Sequence, residues 1–203
     1  MIDGRDDIRE QVVALTFDDG PSEWTGQILE HLADHDGHGT FFALGCLAAD
    51  ERRSPTLRRV VESGSEVGNH TYSHPKLPTI RDAEIHDELE RAATAIQAAT
   101  GTTLRYWRPP FFHVDERVRK ASRTVRSRRG RLLDDAVGLG VGLPTARWSS
   151  CSSGSGPGRS SACTTAGRPT NQPSSAGRRV KRRSEAVGVI LEAMTARGLR
   201  SVT

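Results

Sequence analysis

The chain has 203 residues and a net charge of +4, but the charge is distributed unevenly. Residues 1–120 carry 14 Lys/Arg against 21 Asp/Glu, residues 121–183 carry 13 against 2, and residues 184–203 carry 2 against 2. With 35% hydrophobic residues the chain can bury a core. It has no apolar run near the ~20 residues that a membrane span requires. These values exclude an integral membrane protein and divide the chain into three parts.

The start of the sequence and its cysteines bear on location and redox chemistry. The first ten residues lack the apolar stretch of a secretory signal, which predicts a cytoplasmic chain as written; a start further upstream would allow a secreted or cell-envelope location. The three cysteines, Cys46, Cys151 and Cys163, are odd in number and have no CxxC spacing. This pattern argues against a disulfide framework and a cysteine zinc site. We expect a monomer.

Strands and helices are predicted to alternate over residues 10–120. Short apolar runs rich in β-formers predict the strands, and apolar positions at helical spacing predict the helices. In chain order they are a strand at 11–17, a helix at 25–34, a strand at 39–44, a helix at 56–63, a strand at 66–69, a helix at 81–100 ended by Gly101, and a strand at 104–107. This alternation is typical of a parallel α/β fold, which keeps its polar groups at the carboxyl ends of the strands.

The periodicity ends after about residue 120. Residues 121–183 contain 11 Ser, 9 Gly and 4 Pro, with Trp148 as their only aromatic residue. A segment without an apolar face does not offset its ordering entropy, so we predict that it is largely disordered. Apolar residues return at helical spacing over 185–197, and a short strand is predicted at 199–202. Residues 184–203 are therefore predicted to be the closing helix and strand of the same domain.

Two pairs of polar residues follow predicted strands. Asp18 and Asp19 end the first strand, and His70 and His74, four residues apart, follow the third. One carboxylate with two imidazoles is a common ligand set for a catalytic divalent metal, and the second carboxylate is then free to act as a base. Either pair alone is weak evidence, because HxxxH pairs arise by chance and adjacent aspartates often cap helices. Together, each at a strand end, they favour a metal site.

Three motifs in this order resemble a known family. They are TFDDGP at residues 16–21, HTYSHP at residues 70–75 and RPPF at residues 108–111. They are similar to the first three motifs of the polysaccharide deacetylases with a NodB-homology domain, carbohydrate esterase family 4. The resemblance covers residues 10–120 and extends to the tail at 184–203. It implies a (β/α) barrel, incomplete or distorted where residues 121–183 interrupt it.

The resemblance also implies an activity and a metal site. By similarity, Asp19, His70 and His74 would bind a divalent ion, with zinc as the first choice and cobalt, nickel or manganese as alternatives. The implied reaction is hydrolysis of N-acetyl or O-acetyl groups from a polysaccharide or oligosaccharide such as chitin oligomers, peptidoglycan or xylan.

Three further residues would carry the chemistry by similarity. Asp18 would be the general base that removes a proton from water, and Arg108 would orient and tune Asp18. The backbone N–H of Phe111 would stabilise the tetrahedral oxyanion. The alternative for Arg108 is a surface arginine at a strand end. Ser73 is interpreted as a local hydrogen-bonding residue.

The sequence departs from the family after the third motif. The family pattern continues with an Asp-Trp element and a Leu-His strand whose histidine protonates the leaving amine, and neither is legible here. All seven histidines lie at or before His113, which we interpret as a loop histidine without a catalytic role. We hypothesise that residues 121–183 are read out of frame, which the nucleotide sequence of the gene would test. The expectation is metal binding with weak or no turnover.

Two alternatives to an active enzyme stay open. One is a metal-binding remnant without turnover, which metal titration and hydrolysis assays would distinguish from an enzyme. The other is non-specific nucleic-acid binding through the basic segment 121–183, densest at residues 178–183. Basic charge without interleaved aromatic residues gives non-specific phosphate attraction at most, so no specific nucleic-acid partner is expected.

Overall fold

The computed structural model describes residues 11–123, 125, 134–135, 140–141 and 175–203, and for 134–135, 140–141 and 175–183 the backbone alone. The strands are β1 (Val12–Ala14), β2 (Thr16–Gly20), β3 (Thr40–Ala43), β4 (Glu66–Asn69), β5 (Tyr106–Trp107), β6 (Asp134–Asp135), β7 (Gly140–Val141) and β8 (Arg200–Val202). The α-helices are α1 (Thr25–Asp34), α2 (Gly45–Ala48), α3 (Ser54–Glu62), α4 (Asp82–Thr100), α5 (Glu116–Ser122) and α6 (Ser175–Thr195). Two 3₁₀ turns lie at Leu77–Thr79 and Pro110–Phe112.

The larger sheet is parallel and is wound in chain order. Its strand order is β6-β5-β4-β3-β2-β7, and β1 pairs with β8 in a separate parallel pair. Strands β2 to β5 are neighbours in sequence order, and helices lie between them along the chain. This is the winding of a (β/α) barrel, in which the carboxyl ends of neighbouring strands meet at one face. The predicted parallel α/β class is confirmed.

The longest helix shows why the sequence folds this way locally. Helix α4 buries one face against the sheet, including the fully buried Ile85 and Leu89. A backbone N–H of Arg81 donates to the Glu84 carboxylate at 2.9 Å and caps its first turn. The helix ends at Gly101, whose φ of 71° is readily adopted by glycine. The helix and its stop are confirmed as predicted.

Several boundaries differ from the prediction. The strand predicted at 11–17 is two strands that break at Leu15, because β1 pairs with β8 while β2 pairs with β3. Helix α2 was not predicted, since four residues are too few for a periodic pattern. Helix α5 was also missed, although Asp115 at its N-cap accepts a hydrogen bond from the Val118 backbone at 2.9 Å. An N-cap aspartate is a recognisable helix start.

The prediction that residues 121–183 are largely disordered is wrong at two short strands. β6 pairs with β5 at one edge of the sheet, and β7 pairs with β2 at the other. Strand pairing uses backbone groups, so two-residue strands form there without an apolar pattern. Helix α6 also begins at residue 175, within a stretch rich in arginine, a good helix former. Residues 121–123 and 125 are also described, and the rest of the predicted disordered segment lies outside the described residues.

The longest described helices are α4, with 19 residues, and α6, with 21 residues. In the parts of the chain that the structure covers, no helix is both long and apolar enough for a membrane crossing.

Candidate active site

A distortion at the end of β2 changes the direction of Asp19 relative to its neighbour Asp18. Successive side chains of a regular strand point to opposite faces, so Asp18 and Asp19 would normally diverge. Here Asp18 opposes Phe42 and Gly20 opposes Ala43, which leaves Asp19 as a bulged residue. Asp19 has a φ of 67°, in the left-handed region. Bulges of this kind re-aim side chains next to functional sites.

Asp19 meets both predicted histidines. Its Oδ1 atom lies 3.4 Å from His70 Nε2 and 3.2 Å from His74 Nε2. This oxygen is buried, and no group in the described part of the chain has the geometry to donate a hydrogen bond to it. The two imidazole rings lie edge to face with centroids 5.0 Å apart. The structure therefore brings together the three residues that the sequence predicts as metal ligands.

The other ring nitrogen of His70 identifies its protonation pattern. His70 Nδ1 lies 2.7 Å from the backbone carbonyl oxygen of Arg108. A carbonyl oxygen only accepts, so Nδ1 carries the hydrogen and a neutral imidazole presents a lone pair at Nε2. In this neutral form the lone pair faces the Asp19 oxygen, and a bound cation would relieve the repulsion between the two atoms. Metal-binding histidines commonly have this second hydrogen bond to a carbonyl.

The spacing of the donor atoms also fits a metal ion. The Asp19, His70 and His74 ligand atoms all lie within 4.8 Å of one another. Tetrahedral ligands with bonds of about 2.0–2.1 Å are separated by about 3.3 Å. The 3.2 and 3.4 Å distances from Asp19 match that separation. The donor set and its spacing therefore fit a divalent ion.

The electrostatics keep Asp19 ionised. Burial raises the pKa of the Asp19 carboxyl, but the positively charged, protonated forms of the adjacent His70 and His74 rings lower it by more, and the resulting pKa in the metal-free chain is about 2. An ionised carboxylate is the form that binds a metal.

Asp18 belongs to a separate, buried ion pair. Arg108 Nη1 donates to Asp18 Oδ1 at 2.7 Å and to Thr16 Oγ1 at 2.9 Å. The guanidinium group also stacks on the Phe42 ring, 4.1 Å from its centroid. Arg108 is fully buried, so the alternative of a surface arginine is wrong. Its side chain orients Asp18, and its backbone carbonyl orients His70.

The loop between the histidines is fixed by residues that the sequence analysis did not single out. In this histidine loop (residues 70–74), the Thr71 backbone N–H donates to Asn69 Oδ1 at 2.8 Å. The Glu88 carboxylate of α4 accepts hydrogen bonds from the backbone of Tyr72 at 2.9 Å and from that of Ser73 at 2.7 Å. It also accepts from Ser73 Oγ at 2.6 Å, which confirms that Ser73 is a local hydrogen-bonding residue. No sequence motif pointed to Glu88, which lies 14 positions after His74.

The third motif forms an exposed turn beside the histidines. In this phenylalanine turn (residues 109–112), Phe111 and Phe112 have φ values of 57° and 55° and are 50% and 52% exposed. The Phe111 ring packs edge to face on His74, with centroids 4.8 Å apart. His113 follows the turn and lies 6.0 Å from Phe111, ring to ring, outside the three-residue cluster.

Comparisons with known proteins agree with the motifs. The family model for polysaccharide deacetylases matches residues 5–128. The chain is 42% identical over 101 residues to a chitooligosaccharide deacetylase from Bradyrhizobium, covering 49% of this chain and 45% of that protein. The chain matches only 17 to 45% of the length of this and three other curated relatives.

Two solved structures are also similar. The peptidoglycan deacetylase PdaC from Bacillus subtilis aligns over 96% of this chain and 88% of its own, with a TM-score of 0.65 and 25% identity. A carbohydrate esterase family 4 pseudoenzyme from Bacillus anthracis aligns over 56% of this chain and 40% of its own, with a TM-score of 0.52 and 32% identity.

These matches identify the class of protein. The barrel winding, the ordered motifs and the family match over residues 5–128 agree. The chain belongs to the polysaccharide deacetylase family, and its fold is that of the NodB-type (β/α) barrel.

Proposed function

We propose that this chain hydrolyses acetyl groups from an N-acetylated polysaccharide with the help of a divalent metal. The observation that carries this proposal is the convergence of Asp19, His70 and His74 next to the buried Asp18–Arg108 ion pair. The relatives support the substrate class, since one is a deacetylase of chitooligosaccharide and another of peptidoglycan.

The donor set favours zinc over other divalent metals. One carboxylate and two imidazoles suit Zn²⁺, and they also accept Co²⁺, Ni²⁺ or Mn²⁺. A bound ion would supply Lewis-acid polarisation of the acetyl carbonyl and would make water more acidic. Asp19, His70 and His74 would hold it.

The remaining groups move protons and stabilise charge. Asp18 accepts a proton from the water that attacks the acetyl carbon, while Arg108 holds Oδ1 of the same carboxylate in place. The Phe111 backbone N–H donates to the oxyanion that forms on the carbonyl oxygen. The carbon–nitrogen bond then breaks, and protonated Asp18 returns its proton to the leaving amine.

The phenylalanine turn offers a surface for the sugar. The Phe111 and Phe112 rings are half exposed, and Phe111 touches His74 at the edge of the cluster. Aromatic rings bury apolar area at a modest entropic cost, and the apolar faces of sugar rings match them in size. A polysaccharide bound across these rings would present its acetyl groups to Asp18 and Asp19.

A metal-binding protein without turnover is the second candidate. The likeness to the family 4 pseudoenzyme and the absence of any histidine after His113 favour it. The expected low turnover stays a prediction. The basic segment proposed for nucleic-acid binding lies largely outside the described residues, and that alternative also stays a prediction.

One experiment separates these candidates. The zinc-loaded chain is incubated with N-acetylated chitooligosaccharide and, separately, with an aryl acetate, and acetate release is measured with and without a chelator. Release that requires the metal and is lost in Asp18→Asn supports the proposed function. Zinc binding without release from either substrate supports the second candidate, and absence of zinc binding contradicts both.

A further inference from the structure

We propose that Glu88 is a positioning residue that holds His74 in place for metal binding. This inference rests on the proposed metal site. Glu88 lies on α4, outside the three motifs, and its half-buried carboxylate accepts three hydrogen bonds from the histidine loop. Two of the three come from Ser73, the residue directly before His74.

The two histidines depend on this loop to different extents. His70 is fixed independently, because its backbone N–H donates to the Ala43 carbonyl at 2.9 Å and its ring is bonded to the Arg108 carbonyl. The His74 ring contacts Asp19 and Phe111 but, among the described residues, has no comparable carbonyl anchor. Its place is therefore set by its backbone.

That backbone is unusual and needs support. His74 has a φ of 62° and Thr71 a φ of 68°, both in the left-handed region that is unfavourable for residues other than glycine. The His74 N–H donates to Thr71 Oγ1 at 3.1 Å, which links the two strained residues. Such a conformation persists where its surroundings determine it fully.

Glu88 completes the support from one side of the loop. On the other side, the backbone N–H groups of Gly45 and Cys46 donate to the carbonyls of Thr71 and Tyr72, both at 3.0 Å. The loop is thus held between the amides at the start of α2 and the Glu88 carboxylate of α4. Hydrogen bonds to an ionised acceptor are stronger than neutral ones. Removing the carboxylate leaves the N–H groups of Tyr72 and Ser73 without these acceptors.

Metal affinity of the full chain tests this role. Co²⁺ and Zn²⁺ affinities are measured for the wild type, Glu88→Ala, Glu88→Gln and the control Glu90→Ala, which removes an exposed carboxylate from the same helix. We expect Glu88→Ala to weaken binding by about 10- to 100-fold, the usual effect of losing a residue that orients a metal ligand. Glu88→Gln should bind nearly as well as the wild type, because its amide oxygen still accepts the backbone N–H groups. Glu90→Ala should be unchanged.

A double-mutant cycle shows whether the effect passes through His74. In a His74→Ala background, Glu88→Ala should add little further loss, whereas independent effects would add. The visible spectrum of bound Co²⁺ should also change in Glu88→Ala.

Three results would overturn the inference. They are wild-type metal affinity in Glu88→Ala, affinity in Glu88→Gln as weak as in Glu88→Ala, and additive losses of affinity from Glu88→Ala and His74→Ala. If Glu88→Ala fails to fold, Ser73→Ala and Glu88→Gln still decide, since Ser73→Ala should cause a smaller loss of the same kind. Absence of binding by the wild type contradicts the metal site itself.

Discussion

The histidine loop and the phenylalanine turn both place left-handed backbone beside the candidate site, but they are supported very differently. In the histidine loop, backbone N–H groups donate to the side chains of Asn69 and Glu88, and loop carbonyls accept from the backbone amides at the start of α2. In the phenylalanine turn, Phe112 N–H donates to the Pro109 carbonyl at 3.2 Å, and the Phe111 and Phe112 rings are half exposed.

This difference separates two parts of the proposed reaction. In that proposal the histidine loop carries the metal ligands, which would need fixed positions before any metal or substrate arrives. The phenylalanine turn carries the oxyanion N–H and aromatic rings, which act on the substrate. Substitutions in the loop should therefore change metal affinity, and those in the turn should change substrate use. Arg108 joins the two, because it begins the third motif and bonds to both Asp18 and His70.

Asp18→Asn should have the largest effect on catalysis while leaving metal binding nearly intact. The amide keeps the hydrogen bond to Arg108 but no longer accepts the proton, so we expect kcat to fall by about 10²- to 10⁴-fold. Steady-state hydrolysis of N-acetylated chitooligosaccharide and zinc affinity are measured on the same preparation. Unchanged kcat would remove Asp18 from the mechanism.

Arg108→Met should destabilise the protein because it leaves the Asp18 carboxylate buried without its cation. We expect the free energy of unfolding to fall by about 3–5 kcal/mol. Urea unfolding measures it. The matched control is Arg105→Met, whose exposed ion pair with Glu66 at 3.2 Å should contribute less than about 1 kcal/mol. An equal loss of unfolding free energy in Arg108→Met and Arg105→Met would contradict the role of buried Arg108 in joining the histidine loop to the phenylalanine turn.

Acid should reveal the charge interactions of Asp19 in the metal-free protein. Its pKa is lowered from 3.8 to about 2, so its stabilising effect is present above pH 3.8 and is lost as the pH falls through 2. Between pH 5 and pH 2, Asp19→Asn should lose about 2 kcal/mol less stability than the wild type. Unfolding at both pH values in the presence of a chelator checks this. Identical pH dependence would be inconsistent with the observed contacts to His70 and His74.

Phe112→Ala should have the smallest effect and should act on substrate binding alone. Loss of the exposed ring should raise KM about threefold to tenfold with kcat and zinc affinity unchanged. Val189→Ala, which shortens an exposed side chain on α6, serves as the control. A loss of zinc affinity in Phe112→Ala would break the separation between turn and loop.

The sequence predicted the residues of the site better than their surroundings. The aspartates lie at the end of β2, and the histidines follow β4. Because parallel strands bring their carboxyl ends together, the cluster of Asp18, Asp19, His70 and His74 was predictable. The bulge at Asp19 was not predictable, because aspartate adopts a left-handed φ such as its 67° in only a minority of cases and no sequence pattern marks the register shift.

Other features depend on tertiary contacts without a local pattern. Glu88 is one acidic residue among several on α4, and only the packing of that helix on the histidine loop distinguishes it. Strands β6 and β7 form by backbone pairing at the sheet edges. The composition of residues 121–183 predicted disorder there and so did not reveal these strands. The carbonyl of Arg108 orients His70 through a backbone atom that any residue type would provide.

The most direct test of the metal site is the zinc content of the purified chain after loading and dialysis. We expect one zinc ion per chain in the wild type and in His113→Ala, and loss of most of it in Asp19→Asn, His70→Ala and His74→Ala. Circular dichroism confirms that each variant is folded. A wild type that retains no zinc, or variants of Asp19, His70 and His74 that retain it fully, would contradict the account.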